Sequence, residues 1–212
     1  TSPRELLAEK FHMYPDLLQS LNEGKSFDQA GTTIRVANVA DLELDADVKR
    51  IEVDKKEQTV RAYDADDKLV AAYPSTVGSD DTPSPEGKHK VVRIARGPTY
   101  IYDPEKLDFK GVKAKKFTIP AGPNNPVGMV WIALDAPGYG IHGSPEPTEI
   151  RRESSHGCVR LTNWDALQLA DAIDEGVPVA FVPMQEGAEE DGAKQDDQLN
   201  SDDQSKSIHD DF

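Results

Sequence analysis

Apolar residues fall at helical spacing in two parts of the chain and alternate with polar ones through most of the stretch between. Near the start, Leu6, Leu7 and Phe11, then Leu17, Leu18 and Leu21, predict two short helices separated at Pro15. Leu21-Asn22-Glu23-Gly24 closes the second helix, and Thr33-Ile34-Arg35-Val36 reads as a short strand. From residue 47 onward the period drops to two. Ile51 and Val53, then Val60 and Ala62, alternate with polar neighbours. Residues 69–73 and 91–94 are further strand candidates, and residues 129–134 form the most apolar run. Asp64-Ala65-Asp66-Asp67 and Pro83-Ser84-Pro85-Glu86-Gly87 mark turns. One main helix interrupts the strands. Thr162-Asn163-Trp164-Asp165 has capping-box spacing, with the Thr162 hydroxyl placed to accept the Asp165 amide. Ala166, Leu169, Ala170 and Ile173 then form one apolar stripe. Gly176 is expected as the left-handed cap of that helix, and residues 177–182 as a closing strand. The predicted fold class is mostly β, a sandwich or barrel with one main helix, preceded by a small helical module.

Charge marks off a third segment. Of the 212 residues, 24 are Lys or Arg and 39 are Asp or Glu, a net charge of −15. Residues 184–212 hold ten acids and two lysines with almost no apolar side chains. That composition predicts a disordered acidic tail, either a solvated end or an interaction tail. The expected organisation is therefore a module over 1–40, a strand-rich domain over 47–183 and a tail over 184–212. The acidic balance excludes recognition of nucleic-acid phosphates and docking on anionic lipid through a polybasic patch. No apolar run reaches the length of a membrane-spanning helix. The chain opens on Thr1-Ser2-Pro3 with no basic-then-apolar leader, which fits a processed protein and leaves export open. Cys158 is the single cysteine, so an internal disulfide and a cysteine-rich zinc motif are both excluded.

The chemistry concentrates in Ser154-Ser155-His156-Gly157-Cys158-Val159-Arg160-Leu161, just before the capped helix. A nucleophilic thiol needs a base or imidazolium, donors for an oxyanion and an open approach. Gly157 lets the backbone turn tightly beside the sulfur and leaves amides bare. His156 lies two residues from the cysteine, and His142, in Ile141-His142-Gly143-Ser144, lies 16 residues upstream. That separation lets a loop bring two strand ends together. Cys158 is the candidate nucleophile and His142 the candidate base. Zinc held by His142, His156 and Cys158 would lack a fourth ligand, so neither a metal nor another cofactor is expected. Asp165 is read as part of the helix cap, Trp131 and Trp164 as packing, and His12 and His89 as carrying no chemistry.

Together these segments resemble the L,D-transpeptidase catalytic domain, also called the YkuD-type domain. Tyr73-Pro74-Ser75-Thr76-Val77-Gly78 and Thr82-Pro83-Ser84-Pro85-Glu86-Gly87 resemble its early strand and turn. Gly122-Pro123-Asn124-Asn125-Pro126-Val127-Gly128 and Gly138-Tyr139-Gly140 resemble the approach to its first histidine. The resemblance spans about residues 49–182. Two positions depart from the family pattern: Ser84 interrupts the Thr-Pro-x-Gly spacing, and His89 sits where an aromatic is more usual.

The resemblance implies a YkuD-like β fold and a cysteine transpeptidase acting on peptidoglycan stem tetrapeptides. Cys158 would attack the carbonyl of the third residue and release the terminal D-alanine. The acyl group would pass to an amine, giving a 3→3 cross-link or attachment to a lysine of a lipoprotein or outer-membrane protein. It further implies His142 as the base, oriented by a backbone carbonyl, and the Gly157 and Cys158 amides as oxyanion donors. Gly143, Ser155, His156 and Arg160 would support the loop or the substrate, Arg160 through a substrate carboxylate. A thiolate–imidazolium pair is expected. The implied partners are peptidoglycan stem peptides and glycan, met in the periplasm or cell envelope after export. Two alternatives stand beside this: water as acceptor, making the protein an L,D-carboxypeptidase, or a non-catalytic wall-binding protein. Residues 1–40 resemble the later part of a lysin motif, a small glycan-binding module. The match runs over Leu7-Ala8-Glu9-Lys10-Phe11, Leu17-Leu18-Gln19-Ser20-Leu21-Asn22 and Gly31-Thr32-Thr33-Ile34-Arg35-Val36. A plain helical hairpin packed on the next domain accounts for the same pattern.

Overall fold

The computed structural model describes residues 2–39, 43–44, 46–103 and 115–182; the expected acidic tail lies outside them. Its strands are β1 (Arg50–Asp54), β2 (Thr59–Tyr63), β3 (Leu69–Pro74), β4 (Gly87–Arg96), β5 (Tyr100–Tyr102) and β6 (Phe117–Ile119). They continue with β7 (Val130–Leu134), β8 (Gly140–His142), β9 (Val159–Arg160) and β10 (Pro178–Val182). The helices are α1 (Pro3–Lys10), α2 (Pro15–Ser20) and α3 (Asn163–Asp171). Eight strands form one sheet in the order β3-β2-β1-β10-β4-β7-β8-β9, and β5 pairs with β6 as a separate hairpin.

Alternation decides which face of each strand is inside. In β1 and β2, Ile51, Val53, Val60 and Ala62 are fully buried while their neighbours are only half covered. In β7, Val130, Ile132 and Leu134 point to the core, joined there by Ile141, Val159 and Leu161. Each such aliphatic side chain removed from water contributes roughly 1.5–3 kcal/mol. The sheet curls until its two ends meet. Two residues past β3, Thr76 exchanges backbone bonds of 2.9 and 2.8 Å with Arg160 of β9, and the Ser155 amide donates to the Val77 carbonyl at 2.9 Å. The free edges of β3 and β9 are thereby joined through the segment that carries the candidate nucleophile.

The helix that follows begins where expected, with Thr162 Oγ1 accepting the Asp165 amide at 3.2 Å. Its end differs. Helix α3 stops at Asp171, and Gly176, expected as its cap, instead turns the chain into β10 with φ +96° and donates its amide to Val91 O at 2.7 Å. The sheet claims this glycine because β10 must enter between β1 and β4. The β5–β6 hairpin and the short strands β8 and β9 carry too few residues for a period-two pattern to show.

The N-terminal module has a core of its own, built on Ala8, Met13 and Leu18 with Phe11 and Phe27 against it. Pro15 opens α2 at its first position rather than merely ending α1, as its missing N–H allows. The expected strand at residues 33–36 does not form, and the segment has no strand partner among the described residues. The buried side chain of Asn22 takes that place. Its Oδ1 accepts the Arg35 amide at 2.6 Å, and its Nδ2 donates to the Arg35 carbonyl at 2.7 Å and to Leu18 O at 2.8 Å. Asn22→Ala leaves those groups unpaired at about 1–3 kcal/mol each. Amide exchange in residues 33–37 should therefore rise sharply in that variant, while exchange in β1, β7 and β10 stays unchanged.

Candidate active site

Strand registers assemble the site before any side-chain contact is considered. Trp131 of β7 lies opposite His142 of β8, and His142 lies beside Arg160 of β9. Facing residues share a side of the sheet, so Trp131, His142 and Arg160 form one row, turned away from the Ile132–Ile141–Val159 row in the core. Cys158 is two residues before Arg160 and returns to the same face. These side chains line a cavity of about 330 Å³, walled on its other sides by Tyr100 and by Pro126 and Val127.

His142 is 4% exposed, and its Nδ1 lies 2.7 Å from the Gly143 carbonyl oxygen. A carbonyl only accepts, so Nδ1 carries the proton and Nε2 keeps its lone pair. The Trp131 ring stacks on the imidazole at 5.3 Å between centroids and 22° between planes. Burial pushes the His142 pKa down to about 4, with Arg160 adding to that and the Gly143 bond opposing it. The half-buried Cys158 thiol reaches the Gly138 carbonyl at 3.6 Å. Burial raises its pKa above the ordinary thiol value, opposed by the Gly140 amide and by Arg160. Burial thus works against the charged form of each group taken by itself, and a thiolate–imidazolium pair would have to offset both losses of hydration.

The turn that carries Cys158 is held by Ser155. Its buried hydroxyl donates to the Cys158 carbonyl and accepts the Gly157 amide at 3.1 Å. The Gly157 amide, expected as an oxyanion donor, is thus committed within the turn, and the Cys158 amide carries that expectation alone. Gly157 adopts φ +106°, and a Cβ there would stand 2.6 Å from the Tyr139 ring and 3.1 Å from the Pro83 carbonyl. No other residue fits. His156 is exposed at the cavity rim, and the Arg160 guanidinium has no ion pair within 4.0 Å among the described residues.

Residues 48–180 match the family model of the L,D-transpeptidase catalytic domain, YkuD. The chain belongs to the L,D-transpeptidase family. It is 30% identical over 181 residues to YkuD of Bacillus licheniformis, named as an L,D-transpeptidase, covering 84% of this chain and 93% of that one. With YbiS of Escherichia coli, also named as an L,D-transpeptidase, it shares 27% over 202 residues, 92% of this chain and 65% of that one. Among solved structures, an L,D-transpeptidase from Mycobacterium smegmatis superposes with TM-score 0.50 at 19% identity, covering 65% of this chain and 59% of that one. The LD transpeptidase LdtMt1 in complex with imipenem gives 0.51 at 18%, covering 64% and 59%. These likenesses establish a shared fold.

The two departures from the L,D-transpeptidase pattern are absorbed locally. Ser84 is buried, and its hydroxyl accepts the Gly78 amide at 2.8 Å, closing the turn over residues 78–84. His89 packs edge-on against Phe181 and hydrogen-bonds Asp135 at 2.9 Å, so the imidazole fills the aromatic place. Sequence reasoning missed Trp131 as a site residue. Trp131 reads as packing, although alternation from Val130 and Ile132 puts it on the other face. His12, which carries no chemistry in the sequence reading, stacks on Trp164 at 5.6 Å and 11°. Asn163 reads as part of the helix start, yet its buried carboxamide holds both ends of the loop between β6 and β7 against α3.

Because the thiol is held protonated, alkylation of Cys158 by iodoacetamide should accelerate about tenfold per pH unit from 6 to 8.5, with no plateau near neutrality. A rate flat across that range would mean the thiolate is already formed.

Proposed function

We propose that this L,D-transpeptidase domain carries the acyl group of a peptidoglycan stem tetrapeptide as a thioester on Cys158 and passes it to an amine. The observation supporting this most strongly is the His142 tautomer. With Nδ1 bound to Gly143 O, the Nε2 lone pair is the free base of the face that also presents Cys158. As the sulfur approaches the carbonyl of the third stem residue, the S–H proton moves to Nε2 and the S–C bond forms. A hydrogen bond from the Cys158 amide to the tetrahedral oxygen lowers the barrier by about 3 kcal/mol. Collapse breaks the C–N bond to D-alanine, and the imidazolium returns its proton to the leaving amine. The acceptor amine then attacks the thioester, Nε2 takes its proton, and the sulfur leaves to regain it.

A neutral resting pair suits this cycle. An imidazole with a pKa near 4 is unprotonated when the thiol needs a base, and its conjugate acid is strong enough to protonate a departing amine. Arg160, on the same face, suits a donor-stem carboxylate. Such a substrate places the work in the cell envelope, where either a stem diamino acid or a protein lysine supplies the amine. Residues 1–40 are read as the part that adds affinity for the wall.

Cys158→Ala should abolish the acyl-enzyme altogether, measured as an intact-mass increase with a soluble tetrapeptide or with imipenem on the peptide containing residues 154–160. His142→Gln should slow its formation by roughly 10²–10⁴-fold while leaving the thiol titratable. An adduct that forms at the wild-type rate in either variant would refute the assignment.

A further inference from the structure

The χ2 torsion of a histidine has a broad, two-fold preference, so the side chain alone does not fix the plane of its ring. The contact from His142 Nδ1 to the Gly143 carbonyl places one ring atom and leaves the plane free to twist about it. A second restraint comes from β7. Trp131 lies directly opposite His142, and its indole stacks on the imidazole at 5.3 Å between centroids and 22° between planes. Gly140, two residues before His142, shares that face of β8. A Cβ at Gly140 would stand 2.8 Å from Cζ2 and 2.9 Å from Cε2 of the indole. The Gly140 backbone lies outside the left-handed region, so its missing side chain serves space and not conformation. Trp131 thus crosses to β8 through the gap at Gly140 and lies against His142.

A half turn of His142 about χ2 would set Cδ2 against the Gly143 carbonyl and carry Nε2 to the other edge of the ring. The edge of the turning ring would sweep through the space that the indole fills. We propose that Trp131 is a positioning residue for His142: seated across Gly140, its flat face locks the imidazole in the orientation that keeps Nε2 free on the face carrying Cys158. The proposal rests on the reading of His142 as the base. The charged or titratable groups lining the cavity around the ring are Cys158 and Arg160, with His156 at the rim and Tyr100 of β5 opposite; no carboxylate is among them. The indole itself carries no charge, so it acts on the ring through shape and exclusion of water.

The test uses the full chain and three substitutions. The 15N shifts of the His142 ring are followed against pH in the free protein. In parallel, kcat and KM are read for release of terminal D-alanine from a soluble tetrapeptide. Trp131→Leu keeps an apolar cover but removes the plane. It should lower kcat about tenfold, since a misaimed group can cost roughly 10²-fold. In that variant the neutral ring should become a mixture of Nδ1–H and Nε2–H tautomers, where the wild type shows Nδ1–H alone. Burial holds the His142 pKa down at about 4, so admitting water to the ring should move the acid limb of kcat/KM to higher pH. Trp131→Phe restores a flat face and should bring back the single tautomer, with kcat between those of the wild type and Trp131→Leu. Trp131→Met, unbranched and adaptable, takes over the decision if Trp131→Leu does not fold. Unmoved His142 shifts and an unmoved acid limb in the Leu or Met variant would overturn the proposal. That holds even with KM raised, because Trp131 would then be a wall of the cavity and nothing more. Absence of turnover in the wild type would count against the Cys158–His142 reading instead, and the His142 tautomer would still decide whether Trp131 fixes that ring.

Discussion

Closure of the sheet between residues 76–79 and 155–160 is the constraint from which the site follows. The paired bonds between Thr76 and Arg160, with that between Ser155 and Val77, turn a two-residue strand into a fixed edge. A strand of two residues has almost no stability of its own, yet β9 sits between β8 on one side and the end of β3 on the other. Once β9 is fixed, its register with β8 sets Arg160 beside His142 and brings Cys158 to the same face. The Ser155 hydroxyl then holds the turn from within, and Gly157 is the residue that lets the turn exist at all.

Dehydration governs the electrostatics of that face. Burial acts on the thiol and the imidazole in opposite directions, raising one pKa and lowering the other, and both changes favour the uncharged pair. In the proposed cycle the thiolate is made when substrate arrives instead of being stored as an ion. A stored thiolate would be exposed to every electrophile and oxidant in its surroundings, whereas a neutral thiol reacts where a carbonyl and a base are both in place. The Trp131 ring contributes by covering the imidazole and excluding water from it.

Much of this was legible in the sequence because it is local. Alternation exposed β1, β2 and β7, the Thr162 cap announced α3, and the Ser-His-Gly-Cys turn with its upstream His-Gly pointed to the thiol chemistry. What escaped was set by tertiary contacts. Nothing local distinguishes Gly176 as a strand entry from Gly176 as a helix cap; the demand of β10 for a place between β1 and β4 decides it. Residues 33–36 have strand composition, but Asn22 satisfies their backbone from thirteen residues away. The commitment of the Gly157 amide to Ser155, and the neutrality of the Cys158–His142 pair, depend on burial that no spacing reveals.

The claim that most of the account turns on is a neutral, Nδ1-protonated His142 beside a protonated Cys158. A pH titration of the ring nitrogens of His142 by 15N NMR, in otherwise unmodified protein, measures it directly. The account predicts an Nδ1–H neutral tautomer throughout pH 5.5–8, with protonation only as the pH approaches about 4. An imidazolium spectrum at pH 7 that reverts to neutral in Cys158→Ala would show a stored ion pair and contradict it.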